Sequence, residues 1–257
     1  MKLELLANTV EGRAVTGRQH FTCFVIDDSV AIDAGSLANA TTAGQKKRIR
    51  DVILTHAHLD HIAGLPLFID DLFDVLETPV RIHGTSDVIE ILENDIFNWR
   101  VYPRFSELEN RNGPVMEYVE IVPGSKFTVG HLELEAVSVN HKVPAVGFIV
   151  SDGDSVIALS GDTAEMDEFW TRVNALERLD GLLIECAFPD RMKRLAEVSH
   201  HLTPHLLKAE LGKFEKESCP VLIVNLKPMY KQETADEIAN LGIPNVRLLI
   251  VGEEYEF

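Results

Sequence analysis

A short apolar run, Val52-Ile53-Leu54, breaks directly into the polar string His56, His58, Asp60, His61. This transition constrains the chain more than any other. A buried strand holds the backbone that follows it rigid, so the loop leaving it can aim several side chains at one point. Imidazole and carboxylate are good ligands for zinc and related divalent ions, and a catalytic site needs about three protein ligands with a position left open for water. A surface loop with scattered histidines is the alternative reading. The density of four unlike polar groups in the six residues of HAHLDH favours a shared cation instead.

The surrounding pattern alternates strands and helices. FTCFVID (Phe21 to Asp27) and VAIDAG (Val30 to Gly35) read as two strands joined by the turn residues Asp27, Asp28 and Ser29. IAGLPLFIDDLF reads as the helix after the histidine loop, which places the histidines at a strand's carboxyl end, where α/β proteins commonly keep their chemistry. PVRIHG is a further strand, with Thr85 and Ser86 as candidate N-caps of an amphipathic segment running to Trp99. KFTVG, LELEAVSV and GFIVSD look like consecutive antiparallel strands. Next, SVIALS precedes the helix-like AEMDEFWTRVNAL, GLLIECAF precedes a charged connection, and VLIVNL precedes ETADEIANLG, where Gly242 suits a helix stop. Two sheets packed face to face with helices outside are expected.

At 257 residues and 46% hydrophobic, the chain can bury a sizeable core without disulfides. No linker-like composition or internal repeat divides it, so one domain over 1–257 is the simplest reading. The N-terminal MKLELLANTVEGR has no long apolar core, and no apolar run approaches the roughly 20 residues needed to cross a bilayer, so a cytoplasmic protein with no membrane partner is expected. Cys23, Cys186 and Cys219 are odd in number and widely spaced, which fits buried reduced thiols. With 24 basic against 41 acidic residues, a net charge of −17 repels polyanions and argues against long RNA or DNA as a partner.

HAHLDH resembles the H-x-H-x-D-H signature of the metallo-β-lactamase superfamily. VAIDAG, NHKVPAVGF and LSGDT resemble, in the right order, the segments that carry its preceding aspartate, its next histidine and its bridging aspartate. The resemblance implies an α/β fold, the αββα four-layer sandwich, and two divalent ions, zinc first of all. It implies that His56, His58 and His141 hold one ion, that Asp60 and His61 belong to the second, and that Asp162 bridges both. On residue type alone, His141 could also be a polar strand-end residue and Asp162 a helix cap; Asp33 is read as structural rather than catalytic.

Within the superfamily, HLDHIAGLPLFIDD, IFNW, SGDT, IECAFPD, HHLTP and LKP are similar to the class II cyclic-nucleotide phosphodiesterases. That likeness implies a small-molecule phosphodiester as substrate, and two ions about 4 Å apart suit in-line displacement at phosphorus. Attack on a 3′,5′-cyclic nucleotide expels the 3′ oxygen, which wants a proton. His201, just ahead of a helix that Thr203 and Pro204 would start, is the candidate general acid, with Asp60 the other catalytic candidate; the neighbouring His200 competes for the role. The aromatic stretch Phe97, Trp99, Tyr102, Phe105 reads as core more readily than as a base-stacking surface, and Lys227 as either a phosphate contact or a solvated lysine. One departure stands out: where the family carries a histidine before Leu-Lys-Pro, this chain has Asn225. An amide oxygen is a weaker and harder ligand than imidazole, which admits manganese or iron at the second position. The segment LANTVEGRAVTGRQ also lacks the glycine-rich turn expected there. Alternatives are therefore a hydrolase of another substrate, a nuclease or an esterase, and a one-metal binding protein without catalysis; a homodimer is compatible with any of them.

Overall fold

The computed structural model describes residues 1–7, 9–11 and 14–257, with side chains at 1–7 and 17–257; part of LANTVEGRAVTGRQ thus lies outside the described residues. The chain divides into two compact units, one formed by Lys2–Val122 with Val251–Glu256 and the other by Pro123–Ile250 with Met1 and Phe257.

The first unit holds a seven-stranded sheet in the order Met116–Glu120, Val80–Gly84, Asp51–Ile53, Val30–Ile32, Phe24–Ile26, Lys2–Leu5, Glu254–Glu256. The hairpin expected at residues 21–35 is present, with Phe24 opposite Ile32 and Ile26 opposite Val30. Asp51–Ile53 lies between two parallel neighbours, and all three of its residues are buried. A strand covered on both faces reads as a continuous apolar run rather than an alternation, which is why so short a segment was legible.

Two elements of this unit differ from the sequence expectation. The helix read over 62–73 is two helices, Leu59–Ile62 and Leu65–Leu72. Gly64 separates them because its backbone lies against the loop after the second hairpin strand, where a Cβ would come within 2.6 Å of the Ala34 carbonyl oxygen. Pro66 then suits the first turn of the second helix, which buries Leu65, Phe68, Ile69 and Leu72 on one stripe. Each such fully buried side chain contributes roughly 1.5–3 kcal/mol. The amphipathic segment after Thr85 is α-helical only over Ser86–Ile91 and continues as a π-helical turn over Leu92–Ile96. The Arg104 guanidinium accounts for the change, donating to the carbonyls of Phe97 at 2.9 Å and Glu93 at 3.1 Å that a continuing helix would use. Phe97 and Phe105 pack in the core with ring centroids 5.8 Å apart, so of the four aromatics only Trp99 is well exposed.

The second unit is also a seven-stranded sheet, ordered Lys126–Val129, Leu132–Ser138, Val146–Ser151, Val156–Leu159, Gly181–Glu185, Val221–Val224, Val246–Leu248. Its first three strands are antiparallel, as expected; Val156–Leu159 joins them antiparallel as well, and the rest run parallel. The helix expected over 164–176 starts only at Glu168. The amide of Ala164 is committed to the Asn140 carbonyl (2.7 Å) and that of Met166 to the buried Glu210 carboxylate (3.0 Å), so the preceding turn cannot be helical. Asp162 is therefore not a helix cap. All three cysteines are free and buried.

Candidate metal centre

In the first unit, the loop leaving Asp51–Ile53 gathers three imidazoles: the ring centroids of His56 lie 4.7 Å from His58 and 4.2 Å from His61. Two of these rings are oriented from behind by Asp33. This residue is 1% exposed, has a φ of 59° that aspartate tolerates, and sits at the carboxyl end of the neighbouring strand. The Asp33 carboxylate accepts from the Thr55 amide at 2.9 Å, from the Thr55 hydroxyl at 3.0 Å and from His61 Nδ1 at 2.7 Å. With its proton given to Asp33, the Thr55 hydroxyl is left to accept from His56 Nδ1 at 3.0 Å. Both histidines thus carry their proton on Nδ1 and present the Nε2 lone pair, the form in which imidazole ligates a metal. Asp60 lies in the first turn of Leu59–Ile62 and is half-buried, with its backbone carbonyl accepting from the Thr22 amide at 2.9 Å.

In the second unit, His141, Asp162 and His201 are all buried, and each offers a ligand-capable atom within 4.8 Å of the other two. His141 follows the strand Leu132–Ser138, and its Nδ1 donates to the His200 carbonyl at 3.0 Å. A carbonyl can only accept, so His141 too presents Nε2. His200 takes a left-handed conformation (φ 56°) while its own half-buried ring meets Asn140 Oδ1 at 2.9 Å, so the carbonyl of His200 serves the cluster and its ring does not.

His201 is held by a residue that the sequence reading passed over. Glu185, fully buried at the end of Gly181–Glu185, accepts from His201 Nδ1 at 2.6 Å and the Thr163 amide at 2.9 Å on one oxygen, and from the amides of Ala187 (3.0 Å) and Leu202 (3.2 Å) on the other. Burial alone would push the His201 pKa down, but the Glu185 carboxylate outweighs it and Asp162 adds to the effect, so the pKa is raised and the imidazolium favoured. A single acid closing the otherwise apolar run GLLIE was the available signal.

Asn225 sits at φ 60° beyond Val221–Val224 and donates from Nδ2 to Asp162 Oδ1 at 2.7 Å, while its Oδ1 accepts from Lys227 Nζ at 3.4 Å. Lys227 is thereby tied to the cluster rather than fully solvated. Taken unit by unit, imidazoles with fixed tautomers and a buried carboxylate are a donor set suited to a divalent cation.

The beta-lactamase superfamily domain family matches residues 24–214, a stretch that includes parts of both units. The chain is 27% identical to a probable 3′,5′-cyclic-nucleotide phosphodiesterase of Yersinia pestis (73% of this chain, 60% of the relative). It is likewise 27% identical to a 3′,5′-cyclic-nucleotide phosphodiesterase of Aliivibrio fischeri (72% and 66%). A ribonuclease Z of Pyrococcus abyssi is 28% identical over 48% of this chain and 38% of its own. The chain thus spans about three fifths to two thirds of the length of the two phosphodiesterases. Among solved structures, unliganded yeast PDE1 superposes with a TM-score of 0.76 at 17% identity, covering 98% of each chain. The metallo-beta-lactamase fold protein YhfI from Bacillus subtilis gives 0.73 at 16% identity over 100% of this chain and 99% of its own. These likenesses show the fold, the αββα class expected from the sequence, and the chain belongs to the beta-lactamase superfamily domain family.

Proposed function

We propose that this chain is a divalent-metal-dependent phosphodiester hydrolase whose substrate is a small 3′,5′-cyclic nucleotide. The observation that carries the reading is the buried trio His141, Asp162 and His201, with His201 held through Nδ1 by Glu185 so that Nε2 is its working atom. Two relatives named as cyclic-nucleotide phosphodiesterases support the substrate class. We read the two units as one hydrolase domain, because the family match runs from one into the other. The ligand set that this reading carries over from the resemblance is His56, His58 and His141 for a zinc ion, with Asp60, His61 and Asp162 as the further metal-site residues. When bound, the metal supplies Lewis acidity and lowers the pKa of water. The three thiols, all free and buried, suit a reducing compartment such as the cytoplasm.

The chain's own residues then divide the remaining work. As a water oxygen adds to phosphorus, the P–O3′ bond breaks and the departing oxygen takes a proton. His201 is the donor, since Nδ1 is occupied by Glu185 and Nε2–H is what remains. Incubation of the purified chain with cAMP and cGMP under zinc or manganese yields 5′-monophosphate. Asp162→Ala abolishes turnover, and His201→Ala slows it by about 10²–10⁴-fold, less for an aryl leaving group that needs no proton. Absence of product with every metal, or undiminished turnover in Asp162→Ala, refutes the reading.

The likeness to a ribonuclease Z favours a second reading, RNA cleavage. The net charge of −17 opposes it, and an RNA-cleaving activity that falls steeply with salt would decide for it.

A further inference from the structure

Position 225 determines what faces the inner side of Asp162. There the chain presents an N–H: Asn225 Nδ2 donates to Asp162 Oδ1 at 2.7 Å. The opposite amide orientation is ruled out by the partners. A carboxylate can only accept and an ammonium can only donate, so Nδ2 must face Asp162 and Oδ1 must face Lys227. The one atom of Asn225 able to ligate a cation is therefore engaged by a cation already, and the atom turned toward Asp162 carries a proton. A divalent ion placed beside Asp162 Oδ1 would meet that N–H dipole end-on, with the Lys227 ammonium one amide further back. Both interactions are repulsive, and the first lies where Asp162 is 3% and Asn225 4% exposed, so water screens it poorly, while Lys227 behind it is half-buried.

We propose that Asn225 and Lys227 take the place of a second divalent ion, so that the protein retains one ion per chain and Lys227 supplies fixed positive charge at the second position. The inference rests on the reading of the site as a metal centre. It departs from the two-ion expectation because the donor set on this side does not fit a second cation: an acceptor has become a donor, and the anion it faces already has an organic countercharge in reach. Lys227 is here a positioning and charge-supplying residue, its ammonium acting on Asp162 through the Asn225 amide.

The test counts metal rather than turnover. The full chain is stripped with chelator, reloaded with excess zinc, dialysed against metal-free buffer and analysed for elemental content; zinc calorimetry gives the affinities. Wild type retains one ion. Asn225→His, tolerable at a left-handed φ, and Lys227→Met each tighten binding of a second ion by at least about tenfold, the scale on which metal affinity responds to groups around the ligands. Lys227→Met keeps the test decisive if Asn225→His fails to fold, and a second retained ion in either variant supports the proposal. Two ions retained by wild type overturn it, as does one ion in wild type and in every folded variant. No retained ion in wild type refutes the metal-centre reading itself, an outcome distinct from both.

Discussion

Replacing Glu185 by glutamine keeps the size of the side chain and removes half of what it does. The two carboxylate oxygens accept four hydrogen bonds in a fully buried position, two on each oxygen. A carboxamide has one oxygen, so its NH2 must oppose one pair of donors. If it faces Ala187 and Leu202, two buried backbone amides lose their acceptor, at about 1–3 kcal/mol each. If it faces Thr163 and His201, the histidine can switch tautomer and accept, but the Thr163 amide is orphaned and a charge-assisted bond is lost. Either way the cost is about 2–6 kcal/mol, a large share of the roughly 5–15 kcal/mol that holds a domain together. Urea unfolding followed by tryptophan fluorescence is the assay, because the buried Trp170 lies in the same unit. Nitrogen-15 shifts of His201 report which tautomer the variant adopts. A midpoint equal to wild type, with His201 still protonated on Nδ1, would refute the argument that four accepted bonds make this carboxylate indispensable.

Asp33→Asn, at a left-handed position asparagine tolerates, weakens the anchor of His61 Nδ1 and the Thr55 bridge to His56. Metal affinity measured by chelator competition falls about 10–100-fold, and an unchanged affinity would remove Asp33 from the site. Asp51 supplies a pH dependence in the strand that carries the histidine loop. Burial would raise its pKa, but bonds from His83 (2.8 Å) and Arg81 (2.7 Å) pull the carboxyl down to about 2. A depressed carboxyl stabilises the fold above the unfolded value near 3.9, and that contribution is lost as pH falls toward 2. The stability gap between wild type and Asp51→Asn is therefore constant above about pH 5 and closes between about 4 and 2; a gap independent of pH would contradict the assignment.

The legible part of the fold was the part written locally. Val52-Ile53-Leu54 followed by HAHLDH is strand and site in ten residues, and the hairpin at 24–32 and the antiparallel run from 126 to 151 follow from period and turn residues alone. What failed was governed by distant partners. Arg104 converts the helix after Thr85 into a π turn from beyond the end of that helix, and Glu210 delays the helix after Asp162 from more than forty residues away. Neither effect leaves a mark on the segment it alters. His141 and Asp162 were reached only through resemblance, since one histidine and one aspartate at strand ends carry no spacing of their own.

The same division separates ligand-type residues from the groups that orient them. Three histidines here commit Nδ1 to a fixed acceptor, Asp33 for His61, the His200 carbonyl for His141 and Glu185 for His201, and none of those acceptors stands next to its histidine in the chain. His56 reaches Asp33 only through the adjacent Thr55. Residue type identifies a candidate ligand; the tautomer that makes it one is set by tertiary contacts. Asn225 is the converse case. Its identity marked a departure in the sequence, but whether an amide offers its oxygen or its N–H depends on which groups flank it, and Asp162 on one side with Lys227 on the other leaves one answer. On the one-ion proposal the site keeps its carboxylate and changes its metal count, because a single neighbour sets an N–H against Asp162 Oδ1.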